Sequence, residues 1–292
     1  MSTAQVAGAS VVPRERVASP LGQVLGKIGR YLATVPRASL ATLGRAASMS
    51  GQVVRYVITD LPTGRVSIAE TLNQAWYLLT VTMLPALLIA LPFGTEIAIQ
   101  VGAIVNEVGA KSLAGAASGI GVISQGAPIA AGLLMGGAAS SAIAADLGSR
   151  AIREEIDAMK VMGVDPIRRL VLPRFLAIIL ISPILCVIII GAAVVSGFSL
   201  GVMINGVIPG SFWQSFGAFA SPTDFYFAIG KTVLFGMEIV LISSLRGLEA
   251  KGGPRGVADA VNASVVLGFI SVFITNVLIT QVQAMFFPTQ VG

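Results

Sequence analysis

Long apolar runs, separated by shorter polar segments, dominate the hydrophobicity pattern of this chain of 292 residues. A membrane-spanning helix needs about 20 predominantly apolar residues, whereas a membrane-spanning β-strand alternates apolar and polar positions over a short stretch. The runs here are long and do not alternate, so the pattern predicts an all-α integral membrane protein. Its five expected spans are Ala75–Phe93 (extending towards Val105), about 114–145, Leu170–Val207, Phe225–Leu245 and about 258–287.

The third run is longer than one crossing of the bilayer requires. As a single helix, its roughly 38 residues would extend about 57 Å, nearly twice the thickness of the hydrocarbon core. We therefore expect this helix either to project well beyond the bilayer or to break near Pro183, Gly191 or Gly197.

The segment before the first run predicts a disordered tail over residues 1–18 and an amphipathic interfacial segment over 19–66, ahead of a membrane domain over 67–292. Ser19 and Pro20 are typical of a helix start. Lys27 and Arg30 fall off the apolar stripe that follows, and this arrangement is typical of a helix lying in the membrane interface. A loose tail packed on another subunit is the alternative. The stripe consists of Leu21, Val24, Leu25, Ile28, Leu32 and Val35.

The composition agrees with a membrane protein and excludes several kinds of chemistry. Only 11% of the residues are charged and the mean hydropathy is +0.86, against about 25% charged residues in an ordinary soluble domain. Histidine is absent and Cys186 is the single cysteine, which excludes histidine catalysis, internal disulfides and Cys/His zinc sites. We expect no catalytic residue, metal site or cofactor in this chain.

Nucleotide binding by this chain is also not expected. Gly230, Lys231 and Thr232 match the end of a P-loop, but Phe225 stands where the first glycine of that motif is required. The match also lies inside an apolar run instead of following a strand. If the protein uses ATP, a partner chain must therefore bind the ATP and its magnesium ion.

The distribution of basic residues predicts the orientation in the membrane. Of the 19 Lys and Arg residues, 17 lie before Ser67, within the connection 146–177, or between runs four and five. Basic residues mark cytoplasmic segments, so five spans place the N-terminus in the cytoplasm and the C-terminus outside. Four or six spans would put one basic cluster outside. The net charge of +5 therefore indicates a multi-pass membrane protein rather than a nucleic-acid-binding one.

The polar connection between runs two and three, residues 146–177, carries the most specific pattern. A short amphipathic cytoplasmic helix is expected at about 150–163, with Ile152, Ile156 and Met159 on one face and an Arg153–Asp157 pair at i,i+4 spacing. Such a helix either docks its apolar face in a groove of a soluble partner or lies on the bilayer. Gly163 suits a left-handed helix end, and Asp165 and Pro166 suit a new helix start.

This connection resembles the MlaE/YrbE family of ABC-transporter permeases. Residues Glu154–Ala177 follow the pattern E-x-I-D-A-x-x-x-M-G-x-D-P-x-x-x-L-V-x-P-R-x-x-A, and Ala142–Gly148 and Gly252–Val257 also look like family segments. The wider family has Arg-Glu-Leu-Gly-Pro in its second span, where this chain has Ser124–Pro128. The sequence is most similar to the A-type YrbE permeases of actinobacterial (mycobacterial) Mce lipid-transport systems, which also lack the charged pair.

The resemblance implies a permease of an ATP-driven lipid transporter in the cell membrane. It implies a heterodimer with a B-type YrbE permease, two ABC ATPase subunits below, and MCE-domain proteins forming an outer tunnel for lipids such as fatty acids or sterols. It also implies that the cytoplasmic helix is the coupling helix that contacts the ATPase. The implied contact residues are Ile152, Arg153, Glu154, Glu155, Ile156, Asp157, Met159, Met162, Gly163, Asp165 and Pro166.

Charged residues within the apolar runs are candidates for function, because charges inside a membrane are costly. Glu96 lies in the outer part of run one, and Lys231 and Glu238 lie seven residues apart in run four. Three roles are open for these residues: pairing with other helices, contact with lipid headgroups, or sensing of protons. The last role would fit the alternative of a proton-coupled secondary transporter. An intramembrane enzyme is a further alternative, but no constellation of Ser, Lys or acidic residues supports it.

Three GxxxG spacings allow helix backbones to approach closely. They indicate either an interface between two permeases or packing within one subunit. The pairs are Gly115–Gly119, Gly132–Gly136 and Gly197–Gly201.

Overall fold

The structure is a computed structural model that describes residues 42–64, 66–107, 109 and 113–286. The contacts divide the chain into two units, Met1–Ala47 and Ser48–Gly292, and the long apolar helices all belong to the second. The expected tail over 1–18 and the expected helix over Pro20–Val35 lie outside the described residues.

The described part of the chain is helical and contains no strand. Residues 42–60 are helical, and α1 denotes the part of this helix in the second unit, residues 48–60. The other helices, in chain order, are α2 (Ile68–Glu107), α3 (Ala114–Ile152), α4 (Glu155–Val161), α5 (Ile167–Met203), α6 (Pro209–Phe219), α7 (Pro222–Leu248) and α8 (Pro254–Phe286).

Five of these helices, α2, α3, α5, α7 and α8, are long and apolar enough to cross a membrane, which confirms the five expected spans. Two starts carry serine caps: Ser67 Oγ accepts the Glu70 amide at 3.3 Å, and Ser221 Oγ accepts the Thr223 amide at 3.2 Å. The chain is therefore a multi-pass membrane protein.

The expected break in the third span does not occur. Helix α5 runs without interruption through Pro183 for 37 residues, which corresponds to about 55 Å. Gly197 has a packing role instead, since a Cβ there would lie 3.2 Å from the carbonyl oxygen of Gly94 in α2. Of the two alternatives, the unbroken helix is therefore the one that the structure shows.

Helix α3 lies at the centre of the bundle and contacts α5, α7 and α8. Its backbone widens into π-helical turns at Gly121–Gly126 and Met135–Ala139. Its small residues allow bulky side chains of neighbouring helices to pack closely. A Cβ on Gly132, for example, would lie only 2.8 Å from the side chain of Phe235. The glycine pairs of α3 and α5 thus pack helices within this subunit, as one of the two interpretations proposed.

Helix α6 was missed by sequence reasoning, because it is a short helix between two spans. It lies against the start of α3, where a Cβ on Gly115 would be 2.0 Å from the Phe212 carbonyl oxygen. Phe212 is buried among aromatic rings, with Phe198 at 5.2 Å and Trp213 at 5.6 Å between ring centroids. This packing closes the end of the bundle opposite the α3–α5 connection.

Candidate functional site

The connection between α3 and α5 forms a compact reversal of the chain. Helix α3 continues to Ile152, and Glu154 then adopts a left-handed conformation with φ 60° before α4 begins at Glu155. A non-glycine residue rarely takes this conformation. The helix expected over 150–163 is therefore shorter, because the reversal at Glu154 leaves residues 150–152 in α3.

The far end of α4 follows the expected turn chemistry. Gly163 has φ 76°, which glycine adopts without steric cost. Asp165 Oδ1 accepts the backbone N–H of Ile167 at 2.9 Å, so it caps the start of α5 with Pro166 beside it. Both expectations are confirmed, and together they fix the direction in which the chain leaves α4.

The apolar face of α4 is turned inward. Ile156 is only 6% exposed, Ile152 and Met159 are half-buried, and a groove with a cavity volume of about 520 Å³ runs from Ile156 to Leu248 at the end of α7. Ile156 is therefore covered within this chain, whereas Ile152 and Met159 stay partly exposed. Docking of a partner through this face stays a prediction.

A different pair of apolar side chains points into solvent at the end of α4. Val161 is 89% exposed and Met162 is 70% exposed, and we call this pair the apolar tip. Asp157 and Lys160, in the last turns of α4, are also exposed. Adjacent exposed apolar residues with a polar rim are typical of a protein contact surface.

Ion pairs around α4 differ from the expected one. Arg153 Nε contacts Glu155 at 2.8 Å and Lys160 Nζ contacts Asp157 at 2.8 Å. The hydrogen bond from Lys160 holds the pKa of Asp157 below its usual value. The predicted Arg153–Asp157 pair does not form, because Arg153 precedes the helix and i,i+4 geometry does not apply to it. These exposed pairs contribute little stability.

A buried ion pair closes the base of the connection. The guanidinium of Arg174 in α5, which is 3% exposed, donates to Asp146 in α3 and to the Leu170 carbonyl oxygen at 2.6 Å. Asp146 also accepts from Arg150 at 3.2 Å. Sequence reasoning placed both residues in family segments but did not predict that they contact each other.

The three charged residues expected inside the spans do not come together. Glu96 is exposed on α2 and accepts from Gln100 at 2.7 Å. Lys231 is 1% exposed and donates to the Ser124 carbonyl oxygen at 3.2 Å and to Thr280 Oγ1 at 3.0 Å. Lys231 therefore pairs with other helices, as one interpretation proposed.

Two further residues of α7, Glu238 and Asp224, also pair with another helix, and Asp224 was missed by sequence reasoning. Glu238 accepts from Ser271 and Thr275 of α8, both at 2.6 Å. Asp224, buried at the start of α7, accepts from Gln283 at 2.9 Å. The missed signal was spacing, since residues 224, 231 and 238 repeat every seven positions and so share one face.

We call these three residues of α7, with the α8 side chains that they bond, the polar seam. Each of the three residues of α7 bonds to a side chain of α8, so the seam fixes the register of the two helices. Gln125 of α3 joins it by hydrogen bonds to Thr280 at 3.3 Å and Asn276 at 3.4 Å. Gln125 lies in the segment Ser124–Pro128, where the wider family has a charged pair that this chain lacks.

Comparisons with known proteins point to one family. Residues 71–282 match the family model described as permease MlaE. The chain is 28% identical over 228 residues to a probable ABC transporter permease protein of Synechocystis, covering 78% of this chain and 85% of that protein. It is 25% identical over 240 residues to the intermembrane phospholipid transport system permease protein MlaE of Haemophilus influenzae, covering 82% and 92%.

A further relative matches a shorter stretch. A probable ABC transporter permease protein of Rickettsia prowazekii is 31% identical over 156 residues, which is 53% of this chain and 60% of the relative. The relatives are named as permeases, which are transport components and not enzymes.

Proposed function

Since the chain belongs to the MlaE family of ABC-transporter permeases, we propose that it moves lipids in response to a separate ATPase that docks on the apolar tip of α4. A permease of an ABC transporter implies an ATPase partner. The observation that carries the docking site is the exposure of Val161 and Met162 beside a charged rim, at the end of the bundle where basic residues cluster.

The surroundings of α4 support a mechanical role. On one side α4 joins the central helix α3 through the reversal at Glu154, and on the other it joins α5 through Gly163 and the Asp165 cap. A push on the tip therefore reaches two spans at once. The π-helical turns of α3 are points where the helix can change its local winding, and such turns are frequent at functional sites. The chain itself performs no covalent chemistry.

The proposal extends to the Mce branch of the family. The segment Ser124–Pro128, without the charged pair, is similar to A-type YrbE permeases, and the named function of the Haemophilus relative supports a lipid as cargo. We propose a heterodimer with a B-type permease, an outer tunnel of MCE-domain proteins, and fatty acids or sterols as cargo. The distribution of basic residues supports a cytoplasmic N-terminus and an outer C-terminus.

The proton-coupled alternative lacks comparable support. A proton pathway requires its titratable groups to lie in contact or along a chain of hydrogen bonds. Glu96, Lys231 and Glu238 each have separate partners among the described residues. The structure therefore favours energy supply from an ATPase.

The docking site is tested by co-purification of the ATPase with the tagged permease. Val161→Asp/Met162→Asp places two charges at the contact, and we expect recovery of the ATPase to fall about thirtyfold or more, as for an interface hot spot. The matched control is Met203→Asp/Ile204→Asp, which alters an equally exposed apolar pair at the opposite end of α5.

In this experiment the control is expected to retain the ATPase. Full recovery of the ATPase with the tip variant would refute docking at the tip. Glu155→Lys is a poorer choice, because Glu155 pairs with Arg153 and Arg150 inside this chain. Its effect would not distinguish a lost contact from a rearranged α4.

A further inference from the structure

Helix α1 packs against the bundle with one face. Met49 and Val53 are buried, and Tyr56 and Asp60 continue the same face at helical spacing. Asp60 is a carboxylate with a side chain only 7% exposed, and such a group requires a partner. The inner face of α1 therefore carries polar groups towards the start of α5.

Two polar contacts join α1 to the residues just beyond the apolar tip. The Tyr56 hydroxyl donates to Asp165 Oδ2, and Asp60 Oδ2 accepts from Arg168 Nε at 2.6 Å. The Arg168 guanidinium also lies 5.9 Å from the centre of the Tyr56 ring, within the range of a cation–π contact. We call these four residues the clamp.

The clamp acts on the carboxylate that sets the direction of α5. Asp165 caps α5 with Oδ1 and receives Tyr56 on Oδ2, so both of its oxygens are held. The hydrogen bond to Asp165 raises the pKa of Tyr56, and the phenol therefore remains a donor at neutral pH. The clamp is therefore the contact that ties this capped turn to α1.

We propose that Tyr56 and Asp60 are positioning residues, which hold the α4–α5 turn against α1 so that displacement of the apolar tip passes into α5. This inference rests on the proposed function for its mechanical meaning. It adds a role for a helix outside the membrane spans: α1 is the fixed support against which the tip moves.

The clamp is tested first in the permease alone, by spin-label mobility at α4. Ala158, which is exposed, is replaced by cysteine in a Cys186→Ala background and labelled. We expect Tyr56→Phe and Asp60→Asn each to raise the ratio of mobile to immobile label about tenfold, because the first removes a hydrogen bond to a carboxylate and the second removes the charge that strengthens the bond from Arg168. The controls Tyr77→Phe and Asp259→Asn should leave the ratio unchanged.

Two adjacent arginines provide a second matched comparison. Arg168→Ala should mobilise the label as Asp60→Asn does, whereas Arg169, whose side chain makes no hydrogen bond or ion pair within the described segments, should tolerate alanine. Asp60→Asn/Arg168→Ala should be no worse than either single change, since contacting partners are not additive. An immobile label in both Tyr56→Phe and Asp60→Asn would overturn the proposal.

The assembled transporter distinguishes positioning from a merely structural role. Clamp variants should still recover the ATPase, yet move fewer fluorescent phospholipids per ATP hydrolysed in vesicles of phosphatidylethanolamine and phosphatidylglycerol. A purely structural role would lower transport and hydrolysis together, and that result would contradict the proposal. If the wild-type permease recovers no ATPase, the proposed function fails, while the label mobility still decides whether the clamp holds α4.

Discussion

Asp146→Ala is expected to destabilise the protein by about 3–5 kcal/mol, because it leaves the buried guanidinium of Arg174 without its carboxylate. Arg174 is almost fully buried, and within the described segments the hydrogen bond that it keeps is the one to the Leu170 carbonyl oxygen. The change can be measured as loss of folded protein during thermal or denaturant unfolding in detergent. Since the pair closes the base of the α3–α5 connection, unfolding should begin there.

The partner substitution provides the control for this prediction. Arg174→Met should cost less, since Asp146 is 36% exposed and keeps Arg150. Asp146→Asn/Arg174→Met should recover much of the stability lost in Asp146→Ala, as replacement of a buried ion pair by neutral groups is often tolerated. Equal losses for the two single variants would contradict the account of an asymmetric, buried pair.

Gly94→Ala is expected to disrupt the crossing of α2 and α5 at a cost of about 3 kcal/mol or more, at the upper end of overpacking effects. A Cβ at Gly94 would lie 2.1 Å from the carbonyl oxygen of Ala193 and 2.6 Å from its Cα. Both are backbone atoms, so no side-chain rotation relieves the overlap and the two helices must move apart.

Gly191→Ala is the matched control, because it changes a glycine in the same helix pair with no atom within 4 Å of the new Cβ. It should be neutral or stabilise α5 by about 0.5–1 kcal/mol, since alanine loses less backbone entropy in a helix. Both variants can be compared by thermal unfolding in one detergent. Similar melting of Gly94→Ala and wild type would show that α2 and α5 do not cross so closely.

The sequence was sufficient for features that depend on local pattern. Hydropathy located the five spans, and residue chemistry located the left-handed Gly163 and the Asp165 cap. These features depend on a residue and its near neighbours along the chain, which one sequence records directly. The uninterrupted α5 was harder to predict, since Pro183 breaks a helix in water more readily than in a packed membrane bundle.

Features that join distant segments could not be derived in this way. Asp146 meets Arg174 across 28 positions and Asp224 meets Gln283 across 59, and one sequence carries no record of such contacts. The surface that covers the apolar face of α4 could not be derived for a related reason. An apolar stripe indicates that something covers it, but only the folded chain shows that Ile156 is buried while Val161 and Met162 stand exposed.

Movement of lipid by this permease, with energy from a separate ATPase, can be measured directly. For this measurement the permease is reconstituted into vesicles of phosphatidylethanolamine and phosphatidylglycerol. The ATPase and any second permease that co-purify with it are included. These vesicles carry a fluorescent phospholipid, fatty acid or sterol. We expect movement of at least one label that requires ATP hydrolysis and is lost in Val161→Asp/Met162→Asp. Movement that persists without ATP and stops on adding a protonophore, or no movement of any label, would contradict this expectation.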